Sequence, residues 1–160
     1  MKKWFFLLLA PAFILSSCKK NSGCAAPAPG TVASAAETAY LQNYITANGI
    51  AASSIQGMFY KINSGGSGAS PNLCSTITVT YTGKLITGTT DGAQFDASAG
   101  QTNLNLDQLI EGWQVVLPLV KSGGSVTLYI PPSLGYGATA TGPIPANSYL
   151  KFDITLVATD

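Results

Sequence analysis

The stretch Leu109-Ile110-Glu111-Gly112-Trp113 is the part of this sequence from which the fold is best interpreted. It places two branched aliphatic residues, a glycine and one of the two tryptophans within five positions, inside a long region rich in strand and turn signals. Large aromatic side chains mostly serve packing, so Trp113 could be only a core anchor at the start of a helix. Alternatively, the stretch forms the floor of a shallow apolar pocket whose walls come from neighbouring strands.

The amino-acid composition excludes several kinds of chemistry. The chain has 160 residues, a formal net charge of +1 and no histidine, and all eight of its basic residues are lysines. Without histidine there is no Ser-His or Cys-His nucleophile pair and no imidazole ligand for zinc. The carboxylates of Asp91, Asp96 and Asp107 lack the spacing of a calcium loop. We therefore expect no metal, no cofactor and no nucleic-acid partner.

Residues 1–18 have the pattern of an export signal. Two lysines precede an apolar run that is shorter than the roughly 20 residues of a membrane-spanning helix. The run ends in Leu15-Ser16-Ser17-Cys18, which resembles a bacterial lipobox with Cys18 as the lipidated residue. Acyl chains on Cys18 would anchor the protein to the cell envelope. We expect the outer membrane of a Gram-negative bacterium, facing the periplasm. An ordinary signal peptide with a chance cysteine is the alternative.

Two cysteines remain after the lipidation candidate. Because export leads to an oxidising compartment, Cys24 and Cys74 are predicted to form one disulfide. The closed loop of about 50 residues would contribute roughly 4 kcal/mol on the chain-entropy model. Two free thiols are the alternative. Residues 19–33 are rich in Ala, Pro, Gly and Ser and are predicted to be a flexible tether.

Residues 34–56 are predicted to be a short N-terminal helical segment. Ser34 followed by Glu37 is a capping box, and Asn48-Gly49 is a stop signal, so the helix should run from about Ala35 to Ala47. The helix could be a dimerising or substrate-guiding arm. It could also pack on its own domain.

Residues 57–160 alternate between apolar and polar positions, as in antiparallel strands. The pattern predicts strands near 58–62, 76–86, 126–130 and 150–156, and a short helix over 111–117 that Pro118 limits. Gly88 and Asp91-Gly92 predict turn structure within residues 87–94. We therefore expect an α+β fold, an antiparallel half-barrel wrapped around one short central helix, with the additional N-terminal helix.

Several motifs occur in order along this region. They are Val79-Thr80-Tyr81-Thr82-Gly83, Phe95-Asp96, Leu109 to Trp113, Leu128 to Pro132 leading to Gly135-Tyr136-Gly137, Gly142-Pro143-Ile144-Pro145, and Leu150 to Asp153. Together they resemble the FKBP-type peptidyl-prolyl cis-trans isomerases, and specifically their exported bacterial lipoproteins, over about residues 57–160.

The resemblance implies a proline-binding pocket and names its residues. Its catalytic positions fall on Asp96, Tyr136, Phe95 and Trp113. Its substrate-binding positions fall on Tyr81, Ile110, Ile144, Phe152, Leu104 and Leu109. The chain departs from the family at two positions. Leu104 stands where family members often have a phenylalanine, and Gln108 stands where eukaryotic members commonly have an acidic residue. These departures affect the expected affinity for macrolide inhibitors more than turnover.

The resemblance also implies roles. The backbone N–H of Ile110 and the hydroxyl of Tyr136 would bind substrate carbonyls, and Asp96 would orient Tyr81 or the twisted carbonyl. Asp96 could also satisfy turn amides. The implied activity is isomerisation of X-Pro bonds in unfolded or partly folded polypeptides, which assists the folding of exported proteins. A catalytically weak binding or chaperone module is the alternative.

Overall fold

The computed structural model describes residues 30–160. The predicted signal, Cys18, Cys24 and most of the tether lie outside the described residues. Cys74 is disulfide-bonded, but because Cys24 is outside the described part, their pairing stays a prediction. Within residues 30–160, no helix has the length and apolar character needed to cross a membrane.

The described chain folds into one seven-stranded sheet with two helices, which confirms the predicted fold class. The elements are α1 (Ala35–Ala47), β1 (Ser53–Ile55), β2 (Met58–Ser64), β3 (Thr76–Thr87), β4 (Thr90–Ala97), β5 (Thr102–Asn105), α2 (Glu111–Val116), β6 (Gly124–Ile130) and β7 (Tyr149–Thr159). The strand order is β1-β2-β6-β7-β3-β4, with β5 also paired to β3. All pairings are antiparallel.

The main core lies between one face of the sheet and α2. Alternate residues of β6 and β7, such as Leu128 and Ile154, point to this face because successive side chains of a strand alternate sides. Gly112 lets α2 approach β6 closely, since a Cβ there would lie 2.8 Å from Ile130 Cδ1. The helix ends where predicted, as Pro118 falls in a 3₁₀ turn that follows it. The close packing fixes the residues before α2, which form the pocket floor.

Helix α1 has the predicted limits and capping box, with Ser34 Oγ accepting a hydrogen bond from the Glu37 amide. It packs on the other face of the sheet. Of the two alternatives for this helix, the structure therefore shows packing on its own domain. Leu41, Tyr44 and Ile45 of α1 form a second core with Phe59 and Tyr129 among the sheet residues. This explains why both faces of β6 are buried although its sequence alternates.

Two local predictions were incomplete or wrong. Asp91-Gly92 does not form a turn but lies within β4, because the two-residue turn is Gly88-Thr89, where Gly88 has a φ of 61°. Strand β1 was missed. It pairs with β2 through a turn at Gln56-Gly57, whose φ values are 51° and 82°. Glutamine is an unusual residue for this conformation, so the sequence signal for the hairpin is weak.

Candidate functional site

A cavity of about 190 Å³ opens beside the N-terminus of α2. It is lined by Tyr81, Asp96, Leu104, Gln108, Leu109, Ile110, Trp113, Tyr136 and Phe152. The lining residues come from elements far apart in sequence: strands β3, β4, β5 and β7, the start of α2, and the segment after β6. The volume is below the roughly 300–1,000 Å³ of pockets for drug-sized ligands, so the cavity suits one ring-sized apolar group.

Aromatic rings form the inner part of this cavity. Trp113 is only 4% exposed, and Phe152 packs against it at 5.2 Å between ring centroids and 87° between ring planes. Tyr81 meets Trp113 in a similar edge arrangement, at 5.4 Å and 83°. Edge-to-face pairs of this kind are favourable and hold the rings in defined orientations. The rings of the floor therefore pack on one another without a ligand.

The Asp96 carboxylate is bound to the Tyr81 hydroxyl. Tyr81 Oη donates a hydrogen bond of 2.7 Å to Asp96 Oδ2, and no amide within residues 30–160 donates to that carboxylate. Burial and this hydrogen bond raise the pKa of Tyr81 to about 12. The hydroxyl thus stays protonated at neutral pH. The contact supports the predicted orientation of Tyr81 rather than the alternative in which Asp96 satisfies turn amides.

Two of the predicted hydrogen-bond donors at the cavity are unused by the described chain, and the indole N–H of Trp113 also has no acceptor within residues 30–160. Neither the backbone N–H of Ile110 nor the Tyr136 hydroxyl has an acceptor among residues 30–160. Tyr136 is 37% exposed, and burial together with the charge of Asp96 raises the pKa of its hydroxyl. Both groups can therefore donate to carbonyl oxygens of a bound peptide.

Two predicted site residues do not line the cavity. Phe95 packs against Phe152 at 5.4 Å and 83°, so it supports a wall residue instead of forming the wall. Ile144 is 5% exposed and belongs to the main core. The sequence could not separate these positions from lining residues, because apolar residue type is the same for a pocket wall and for the layer behind it.

Two supporting residues escaped the sequence analysis. Gln114 Nε2 donates to the carbonyl oxygens of Leu109 at 2.6 Å and Asp107 at 3.2 Å, which fixes the segment leading into Ile110. Ser98 Oγ accepts a hydrogen bond of 2.9 Å from the Tyr81 amide. Both are polar residues of ordinary type, and only their positions in the fold give them these contacts.

The arrangement can bind a small apolar ring and hydrogen-bond the peptide around it, without covalent chemistry. The rings remove the bound group from water, and the Ile110 N–H and the Tyr136 hydroxyl lie at the same cavity as Asp96. Asp96 is the only charged residue among those that line it in the described chain. Within residues 30–160, no group of three or more potential metal ligands is found.

The comparisons with known proteins agree with this geometry. A family model described as FKBP-type peptidyl-prolyl cis-trans isomerase matches residues 68–157. A probable FKBP-type peptidyl-prolyl cis-trans isomerase of Haemophilus influenzae is 44% identical over 105 residues, which are 63% of this chain and 42% of that protein. FkpA of Escherichia coli K12, an FKBP-type isomerase, is 36% identical over 121 residues, which are 74% of this chain and 43% of FkpA. The chain thus spans less than half the length of both relatives.

Solved structures show the same fold. The crystal structure of Escherichia coli FkpA matches with a TM-score of 0.64 at 30% identity, covering 78% of this chain and 62% of that one. A peptidyl-prolyl cis-trans isomerase of Pseudomonas syringae pv. tomato matches with a TM-score of 0.67 at 29% identity, covering 82% of this chain and 99% of that one. On the strength of the matched residues 68–157 and the fold that they adopt, the chain belongs to the FKBP-type peptidyl-prolyl cis-trans isomerase family.

Proposed function

We propose that this protein catalyses cis-trans isomerisation of X-Pro peptide bonds in unfolded or partly folded polypeptides of the cell envelope. One observation carries the proposal: an aromatic cavity sized for one ring is bordered by two unused hydrogen-bond donors, Ile110 N–H and Tyr136 Oη. The family membership and the names of the relatives support it.

The chemistry requires no acid, base or nucleophile. Rotation about an X-Pro bond breaks amide resonance, at a barrier of about 18–20 kcal/mol for a peptide bond. An enzyme lowers this barrier by binding the twisted amide more tightly than either planar form. The absence of histidine from the sequence is therefore compatible with catalysis.

In the proposed mechanism, the proline ring rests on Trp113 against Phe152, and this contact holds one side of the rotating bond. Loss of water around the amide favours the twisted form, whose charge separation is smaller than that of the planar amide. Ile110 N–H and Tyr136 Oη hold the flanking carbonyls while the bond turns. Asp96 keeps the Tyr81 ring and hydroxyl in place beside it.

The test is acceleration of cis-trans exchange in a proline-containing peptide by the purified full-length protein. Tyr136→Phe should lower kcat/KM by about fivefold to tenfold, the effect expected from one hydrogen bond. Tyr60→Phe is the matched control, because Tyr60 lies on β2 and does not line the cavity. The control should match the wild type. An exchange rate equal to that of the peptide alone would disprove the proposal.

We further propose that the protein is a lipoprotein anchored through Cys18 and that macrolides bind it weakly. The anchor is inferred from Leu15-Ser16-Ser17-Cys18. Mass spectrometry of the mature N-terminus should find an acylated Cys18, and Cys18→Ala should release the protein from the outer-membrane fraction. Weak macrolide binding is inferred from the small cavity and from Leu104 in its wall. Titration calorimetry with a macrolide that binds FKBP domains would measure it.

A further inference from the structure

The start of α1 contacts the segment that carries Tyr136. Ser133 donates two hydrogen bonds to the Glu37 carboxylate, from its backbone N to Oε1 at 3.0 Å and from its Oγ to Oε2 at 3.2 Å. Glu37 lies outside residues 68–157, the part that matches the family model, and is 96 positions from Ser133. The contact therefore joins the N-terminal helix to the isomerase domain beside its site.

Glu37 is itself held in place from the other side. Its Oε2 accepts hydrogen bonds of 2.9 Å from both the backbone N and the Oγ of Ser34, as part of the capping box of α1. The helix is docked on the sheet through the buried residues Leu41, Tyr44 and Ile45. The Glu37 carboxylate is therefore held against the start of a helix that is itself docked on the sheet.

The segment that Glu37 holds leads directly to Tyr136. Ser133 is the middle residue of the 3₁₀ turn Pro132–Leu134. The carbonyl oxygen of Pro132 accepts hydrogen bonds from Gly135 N at 3.0 Å and from Gly137 N at 2.9 Å. Tyr136 lies between these two amides, so the turn sets the position of the Tyr136 backbone from which the ring extends.

We propose that Glu37 is a positioning residue, which fixes the 3₁₀ turn through Ser133 and thereby places the Tyr136 hydroxyl at the cavity. The proposal rests on the proposed isomerase function of Tyr136. Its consequence is that α1 contributes to catalysis from outside the family domain, without touching substrate.

The charge state of Glu37 agrees with this role. Burial would raise the pKa of the Glu37 carboxyl, but the hydrogen bonds from Ser34 and Ser133 outweigh it and place the pKa below its ordinary value. The groups that face the carboxylate are these two serines, and the ring of Tyr149 lies close enough for its own pKa to be raised by burial and by Glu37. Glu37 is therefore ionised and accepts hydrogen bonds at neutral pH.

The test is a double-mutant cycle between Glu37→Ala and Tyr136→Phe, read as kcat/KM for a proline-containing peptide with the full-length protein. Glu37→Ala should lower kcat/KM by about threefold to tenfold, as expected for charge-assisted hydrogen bonds at a partly exposed site. In the Tyr136→Phe background, Glu37→Ala should have no further effect, because the group that it positions is already gone.

Asn48→Ala is the matched control. Asn48 Nδ2 donates to Tyr44 O at 2.8 Å and Thr89 O at 2.9 Å, so this change also removes two hydrogen bonds from α1, at the end far from Ser133. It should lower stability without changing kcat/KM. Ser133→Ala removes one hydroxyl and keeps the fold. It should lower kcat/KM by about twofold to threefold, again only when Tyr136 is present.

The outcomes separate the inference from the proposed function. If the wild type does not accelerate exchange, both fail. If the wild type is active and Tyr136→Phe is impaired, but Glu37→Ala and Ser133→Ala match the wild type, the positioning role alone is overturned. The positioning role would also be overturned if Glu37→Ala lowered kcat/KM by the same factor in the wild-type and Tyr136→Phe backgrounds. It would likewise be overturned if Asn48→Ala lowered kcat/KM as much as Glu37→Ala does, because the effect would then be a general loosening of α1.

Discussion

Removal of the Asp96 carboxylate gives the sharpest test of how the site works. The carboxylate accepts a hydrogen bond of 2.7 Å from Tyr81 Oη. A hydrogen bond to a charged group is worth about 1.5–3 kcal/mol, and because Asp96 is exposed we take the lower end. At 1.4 kcal/mol for each factor of ten, Asp96→Ala should lower kcat/KM by about tenfold.

The comparison with Tyr81→Phe separates two mechanisms. Tyr81→Phe deletes the same hydrogen bond but keeps the carboxylate. If Asp96 acts only by orienting Tyr81, each single variant should lose about tenfold in kcat/KM, and the double variant should be no worse. If Asp96 also acts on the twisted amide, Asp96→Ala should fall well below Tyr81→Phe. The assay is peptide prolyl exchange, with the urea unfolding midpoint measured for each variant.

Asp153→Ala is the control for this experiment. Asp153 is also an exposed aspartate that accepts a 2.7 Å hydrogen bond from a hydroxyl, that of Thr127, but it does not line the aromatic cavity. It should retain wild-type kcat/KM. An Asp96→Ala variant with unchanged kcat/KM would refute the reasoning, since the carboxylate would then contribute nothing to the bound twisted amide or to the Tyr81 orientation.

Three further predictions concern the fold and its response to pH. Leu41→Ala in α1 should lower the free energy of unfolding, measured in urea, by about 2–5 kcal/mol, because Leu41 is fully buried. Asn43→Ala, on the exposed side of α1, should change it by less than about 0.5 kcal/mol. Gly83→Ala should destabilise the protein by about 1–3 kcal/mol, since the new Cβ would lie 2.6 Å from the Phe95 ring and 2.9 Å from the Phe152 ring. It should also lower kcat/KM, and an unchanged rate would contradict the role of Phe152 as a wall residue. The urea midpoint should fall as the pH rises from 10 to 12. Burial raises the pKa of Tyr129 to about 12 in the folded protein, whereas its pKa in the unfolded chain is near 10. In this pH range the unfolded state loses a proton that the folded state keeps, so the unfolded state becomes relatively more stable.

Local signals in the sequence determined much of the fold. The Ser34–Glu37 capping box set the start of α1, and apolar alternation identified β3, β6 and β7, because both depend on residues within a few positions of each other. The ordered motifs also indicated most of the cavity. Tyr81, Asp96 and Trp113 line it, as do five of the other predicted residues.

Only the tertiary structure decided which apolar residues face the cavity and what lies behind them. Phe95 and Ile144 have the residue types of a pocket wall, yet neither lines the cavity: Phe95 packs on Phe152, and Ile144 lies in the main core. The docking of α1 on the sheet and the contact of Glu37 with Ser133 join residues 96 positions apart. Periodicity and capping describe neighbours along the chain, so they carry no information about such pairs, which depend on how the whole sheet folds.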